Sequence, residues 1–364
     1  MTSDRSILQI VPQLPGSYDG VGDYALTLAR SLSDEHGLRT VFAVAGGASV
    51  ASKDGFEVVS GLSPGLLHSG TPAFDHVILH YANYGYQARG TPFRLRDFAQ
   101  QLRRTLRGRW ITMFHELYAS GPPWRSAFWV RPFQVKIARA MMDLSDGCFV
   151  SNCVIEAEIH RHDRAKSVRL VPVMSNFGEP RLTDFSGRSP RRWAICGGTA
   201  LVARSLRSFA TVLKTIPPEY SPQQLDVIGG RRDAHVRALV KAIPDISCNY
   251  HPEFTVDDAS QILAQCSFGW LDYFGTGTVW PGMIFKSGSF AAFCAHGIVP
   301  VLSHDEKELA VHGDKFPGPF GMSGGSLRLP RLEQLAETQR GIYAWYHRHA
   351  SAAETARAYA EALA

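Results

Sequence analysis

The chain has 364 residues, 45% hydrophobic and 20% charged, with 38 Lys and Arg against 33 Asp and Glu for a formal net charge of +5. This balance is ordinary for a globular chain and excludes disorder, a coiled coil and a collagen-like fibre; the length predicts two domains. The small positive excess does not by itself indicate nucleic acid, and no apolar run approaches the ~20 residues that a bilayer-spanning helix needs.

Short apolar runs alternate with helical patterns along most of the chain. Ser6 to Val11 reads as a first strand, since the acid beside its apolar run does not suit a secretory signal. A helix over Val21 to Leu32 follows, then strands at Thr40 to Ala45 and Asp75 to Tyr81. Pro92 opens a helix running to Arg109, and strands follow at Trp110 to Phe114, Cys148 to Asn152 and Val168 to Val173. Runs of continuous apolar character suit a parallel sheet covered on both faces.

The alternation breaks at Ser175, in a Gly-, Pro-, Ser- and charge-rich stretch, and resumes at Trp193 to Cys196. A helix is predicted from about Leu201. Further strands lie at Leu225 to Gly230, Ile246 to Tyr250, Phe268 to Tyr273 and Ile298 to Ser303, and an alanine-rich helical stretch ends the chain. The predicted fold class is α/β, two tandem Rossmann-like doubly wound parallel sheets with a ligand cleft between them. The predicted domains are 1–175 and 193–330, joined by a linker at 176–192, with closing helices at 331–364. Six cysteines form no CxxC pair, so free thiols in a reducing cytoplasm are expected rather than disulfides or a zinc site.

Loops that follow strands are where ligands bind in such sheets. Gly20 to Ala25 (GVGDYA) matches a dinucleotide fingerprint in letters, but Pro12 to Asp19 separate it from the strand and no acid ends the second strand, so NAD is not expected. Gly20 and Gly22 can instead let backbone approach an anionic ligand at a helix N-terminus, or serve a tight turn. Ile195 to Leu206 repeats the layout, with Gly198 in its paired glycines and Arg204 near the start of the helix. Lys286, Ser287, Gly288 and Ser289 open an apolar helix, a pattern that suits a phosphate beside helix-terminal amides and equally a helix capped by Ser287.

These segments together resemble the GT-B glycosyltransferases, of the retaining family-four type. The resemblance rests on GVGDYA, on GGTALVAR (Gly197 to Arg204), on LDVIGG ending at Gly230 and on AHGIVPV (Ala295 to Val301), and it covers nearly the whole length. It implies a nucleotide-sugar, UDP- or GDP-linked, bound as substrate mainly by the second domain, an acceptor bound mainly by the first, and closing helices that cross back to the first domain. It implies no cofactor and no metal. Two departures are plain: Ile284 and Ala292 stand where the family carries two glutamates, and Thr199 and Arg204 stand at the places of its Arg and Lys phosphate clamp. Lys286 then strengthens the hold on the diphosphate, and Asp272, at a strand end, is the nearest carboxylate for the donor. His251 and Phe254 follow a strand where the base would rest.

On the first domain His115 lies just beyond a strand end, where the resemblance implies a catalytic histidine that polarises an acceptor hydroxyl or binds the donor sugar. His80, Tyr84, Glu116 and Trp124 are the acceptor-side candidates, with Tyr81 and Tyr86 beside them as wall or as core. Arginines at 94, 96, 103, 104, 107 and 109, with the aromatics of Trp124 to Phe133, make a face suited either to anionic lipid or simply to solvent. The expected activity is sugar transfer to a glycan, lipid-linked or small-molecule hydroxyl by a cytoplasmic protein with a possible peripheral contact at the inner membrane face, and without nucleic acid. The competing expectation is a repurposed GT-B scaffold that binds a nucleotide or protein without transfer.

Overall fold

The computed structural model describes residues 6–14, 20–46, 51–62, 74–119, 123–124, 126–275 and 278–364. They form two compact units, Met1–Val171 with Ala352–Ala364, and Pro172–Ser351.

The first unit holds β1 (Ser6–Val11), α1 (Gly20–His36), β2 (Arg39–Val44), β3 (Ser52–Lys53), β4 (Phe56–Ser60) and β5 (His76–Tyr81). It continues through α2 (Asn83–Tyr86), α3 (Phe93–Thr105), β6 (Trp110–Phe114), α4 (Ser126–Leu144), β7 (Gly147–Val150), α5 (Cys153–His162) and β8 (Val168–Leu170). The sheet order is β3-β4-β2-β1-β5-β6-β7-β8, parallel except for the β3–β4 pair. Every residue of β1, β5, β6 and β7 is buried, which explains their unbroken apolar runs. Because β2 and β5 flank β1 on opposite sides, the strand order reverses there, and the carboxyl ends of β1, β5 and β6 are the expected ligand edge.

The second unit holds β9 (Arg192–Cys196), α6 (Thr199–Val212), β10 (Gln224–Ile228), α7 (Ala234–Lys241), β11 (Ser247–His251), α8 (Val256–Leu263), β12 (Phe268–Leu271), α9 (Gly288–Ala295) and β13 (Val299–Leu302). A small ribbon of β14 (Ala310–Val311) and β15 (Asp314–Lys315) precedes β16 (Phe320–Ser323), β17 (Ser326–Arg328) and α10 (Leu335–His349). The main sheet runs β11-β10-β9-β12-β13-β16-β17, and its order reverses between β9 and β12.

Two boundaries differ from the expectation. Residues 176–192 are packed into the second unit rather than strung as a linker: Phe177 and Phe185 are buried, and Arg188 donates through Nη1 to the carbonyls of Cys266 and His296. Gly297 (φ +61°) exists for this packing, since a Cβ there would stand 2.3 Å from the Phe185 ring. The closing stretch is also divided. α10 belongs to the second unit, and only α11 (Ala352–Leu363) joins the first, where it packs on α1 and stacks Tyr359 on Phe149 at 4.1 Å.

Candidate active site

In the first unit the informative feature is a hydrogen-bonded row of side chains lying across the sheet. Gln9 on β1 donates through Nε2 to Thr40 Oγ1 (3.3 Å), and its Oε1 meets His80 Nε2 at 2.8 Å. His80 Nδ1 lies 3.2 Å from Nε2 of His115, the residue after β6, and the two rings are stacked with Tyr24 edge-on to both. His80 is wholly buried, and burial lowers its pKa to about 3, so it is neutral at ordinary pH. With the Gln9 carbonyl oxygen toward it, His80 donates from Nε2 and accepts at Nδ1. His115 is therefore the donor of the pair through Nε2–H, and its basic nitrogen is Nδ1. The backbone N–H of His115 donates to Tyr81 O (2.9 Å), fixing the residue at the ligand edge.

This arrangement corrects the acceptor-side expectations. His80 is a core residue that orients His115, not a pocket wall. Tyr81 is fully buried, and the Tyr86 hydroxyl donates to the carbonyls of Ile10 and His80, so both are framework. Tyr84 is exposed and its hydroxyl accepts from Gln134 Nε2 (3.2 Å), while Glu116 is half-buried just beyond His115. Trp124 is 84% exposed and is not gathered with the others. Gly22 also has a packing reason, because a Cβ there would stand 2.7 Å from Gln13 O. Gly20, the first residue of α1, has open space in the same place.

In the second unit the predicted turns do converge, at the carboxyl ends of β9 and β10. A Cβ on Gly229 (φ +111°) would meet Gly197 O at 2.3 Å, and one on Gly230 (φ +72°) would meet Thr199 Oγ1 at 2.8 Å. Thr199 Oγ1 accepts from Arg231 N–H (3.1 Å), locking the two turns together. The turn after β9 also touches the start of α9, since a Cβ on Gly197 (φ +136°) would stand 2.6 Å from Ser289 Oγ. Gly198 differs from its neighbours. It is the N-cap of α6 with φ −69°, nothing would meet a Cβ there within 4 Å, and no side chain caps the helix. The N-cap of α6 thus supplies no side-chain cap to its first amides and has room beside it, which suits an anion at that terminus.

At α9 the capping alternative holds for Ser287, whose hydroxyl is buried and accepts from Phe290 N–H (3.2 Å). Ser289 is buried, and Gly288 and Lys286 are half-exposed beside it. Arg204 does not reach outward through its whole guanidinium. Its Nε and Nη2 donate to the carbonyls of Asp272 and Tyr273, each at 2.7 Å. Asp272 is itself buried and accepts from Gly275 N–H (3.0 Å) and Ser303 Oγ (2.8 Å). Both residues therefore shape the turn after β12, and Asp272 accepts both of these bonds at Oδ1.

His251 and Phe254 are likewise tied down. Phe254 stacks on Phe177 at 5.0 Å, and His251 Nε2 lies 3.4 Å from Asp226 Oδ1. Asp226, nearly fully buried, also accepts from Arg192 Nε (2.9 Å) and Asn249 Nδ2 (3.0 Å). Sequence reasoning missed Gln9, Thr40, Asp226 and Ser303. Only a polar residue inside an apolar strand run, as at Gln9 and Asp226, could have marked them. Among the described residues no three His, Cys, Asp or Glu side chains are grouped to hold a metal ion, and no helix is long and apolar enough to cross a membrane.

Comparison with solved structures decides what this pair of units is. An alpha-glucosyltransferase in complex with UDP-glucose and DNA containing an abasic site superposes over 99% of both chains, with a TM-score of 0.62 at 12% identity. The catalytic domain of starch synthase IV from Arabidopsis thaliana, bound to ADP and acarbose, matches over 99% of this chain and 98% of its own, with a TM-score of 0.57 at 10% identity. The chain has the GT-B fold. WaaG, a glycosyltransferase involved in lipopolysaccharide biosynthesis, shares that fold over 98% of this chain and 95% of its own (TM-score 0.51, 12% identity). No protein-family model matches the GT-B chain described here, and no curated protein sequence does.

Proposed function

We propose that the protein transfers a sugar from a nucleoside diphosphate donor, UDP- or GDP-linked, to an acceptor hydroxyl. The observation that carries this reading is the convergence in the second unit of two glycine turns on the uncapped start of α6, with the start of α9 against the first of them and Lys286 three residues before Ser289. A diphosphate leaving group gathers negative charge as the glycosidic bond breaks. Fixed amides stabilise that charge without reorganising, and Lys286 adds a cation in this reading. In this reading Gly198, Thr199, Gly230, Lys286, Gly288 and Ser289 line the donor, Ser287 caps α9, and Arg204 and Asp272 hold the turn after β12. We propose that the reaction is metal-independent, as the resemblance implies, with Lys286 as the cation nearest the diphosphate.

His115 is the proposed catalytic residue. With Nε2–H committed to His80, the nitrogen able to take a proton from a hydroxyl is Nδ1. Retention at the anomeric carbon is what the resemblance favours, although Ile284 and Ala292 stand where its glutamates would be. We place the acceptor hydroxyl on a glycan, a lipid-linked sugar or a small molecule rather than on nucleic acid.

The test is release of nucleoside diphosphate from a panel of UDP-, GDP- and ADP-sugars, by the chain and by K286A and H115A. One donor should be turned over slowly with water as acceptor. K286A should weaken donor use, and H115A should slow turnover with little change in donor binding. Binding of a nucleotide-sugar without any turnover, with or without acceptors, would favour the repurposed scaffold instead.

A further inference from the structure

The catalytic reading leaves one feature unused. Among the described residues of the first unit, Trp124, Trp129, Phe133, Phe128 and Phe93 are the exposed large aromatics apart from Tyr84, at 84, 68, 54, 40 and 39% exposure. Phe128 and Trp129 lie edge to face on the first turns of α4, and Phe133 follows one turn after Trp129. Phe93, which opens α3, meets the Phe133 ring edge at 6.3 Å, so both helices present their first turns to one apolar patch. Trp129 Nε1 donates to Pro123 O, which ties the residue before Trp124 to the same helix. Scattered apolar side chains on a surface need no explanation, but contiguous rings do.

The charge around this patch is mostly positive: Asp97 is paired with Arg96, whose guanidinium lies over the Phe93 ring, and Glu158 accepts from the Tyr118 hydroxyl. Between Glu116 and Asp143 the sequence contains no carboxylate, while it carries Arg125, Arg131, Lys136 and Arg139. Arg94 follows Phe93 directly and is exposed, and the Arg131 guanidinium lies over the Tyr118 ring. Exposed rings rimmed by an excess of cations over acids match the layering of a lipid surface. The rings enter the headgroup and acyl boundary while the cations meet anionic headgroups.

We infer that the first turns of α3 and α4 dock the protein on an anionic lipid surface. A second copy of the chain is a poorer occupant, because a two-fold contact through this patch sets cations against the same cations. A nucleic acid duplex is read by foremost cations rather than by projecting rings. The inference goes beyond the donor chemistry and stands apart from it, since it uses no residue of the second unit.

The test is co-sedimentation of the full chain with phosphatidylcholine vesicles, with and without phosphatidylglycerol. The wild type should bind the anionic vesicles at least about tenfold better than the neutral ones, less so as salt rises. W129S/F133S should lose about tenfold in vesicle binding, and K136E/R139E should lose the preference for anionic lipid. Both variants should keep the wild-type melting temperature and nucleotide binding, because these side chains are exposed on the first unit. Failure of the wild type to sediment with anionic vesicles overturns the inference, as does equal binding by folded W129S/F133S. Loss in that variant of duplex DNA binding or of self-association, with vesicle binding absent, also overturns it. Nucleotide binding on the same preparations keeps this outcome separate from the donor reading.

Discussion

His80 makes the fold of the first unit sensitive to acid in a way that can be worked out. In the folded chain burial holds its pKa at about 3, against the ordinary 6.5 once the chain is unfolded. Below pH 6.5 the unfolded state therefore binds a proton that the folded state refuses, and stability falls as pH falls. One proton is worth about 1.4 kcal/mol per pH unit, so lowering the pH from 7.5 to 5 costs about 2 kcal/mol through this residue. The loss stops growing near pH 3, where folded His80 also protonates. His80→Gln keeps a donor for Gln9 and an acceptor for His115 while removing the titration. Urea unfolding by wild type and H80Q, each at about pH 7.5 and about pH 5, should show the variant losing about 2 kcal/mol less across that interval. Equal losses, or a His80 ring resonance that titrates near pH 6.5 in the folded protein, would refute the buried relay.

Three other outcomes follow from geometry. Gly229→Ala should cost about 3 kcal/mol or prevent folding of the second unit, because φ is +111° and the new Cβ would meet Gly197 O at 2.3 Å. Gly198→Ala, where φ is −69° and nothing lies within 4 Å, should leave urea stability within about 0.5 kcal/mol yet weaken UDP binding; the reverse pattern contradicts the assignment of the two turns. Arg192→Leu strips a cation from buried Asp226 and should cost about 3 kcal/mol by urea unfolding, so a loss under 1 kcal/mol means the remaining donors suffice.

The strands of both sheets were legible because β1, β5, β6, β12 and β13 are buried on both faces and so appear as plain apolar runs. β4 was not: Phe56–Ser60 is only partly buried at the side of the sheet, and its alternating polarity says little. The stretch from Ser175 to Arg192 has the composition of a linker, and its two anchors, Phe177 and Phe185, carry no local sign of the pockets they fill. The glycine turns were readable as turns, but only the backbone distinguishes Gly198, which is open, from Gly22, Gly229 and Gly230, which are required by close approach. His80 and His115 looked alike as strand-end histidines. Their separation into orienting and reactive roles depends on Gln9 and Thr40, which come from strands far away in sequence. Arg204 and Asp272 were drawn to the donor by their positions, whereas Arg204 donates to carbonyls of the turn itself and Asp272 accepts from that turn and from Ser303.

Calorimetric titration of the folded chain with UDP-, GDP- and ADP-sugars tests the central claim most directly. The account predicts saturable binding of one nucleotide-sugar at one site, weakened about tenfold or more by K286A, since a charge-assisted contact is worth roughly 1.5–3 kcal/mol. No binding by any of the donors, on protein that melts cooperatively, would contradict it.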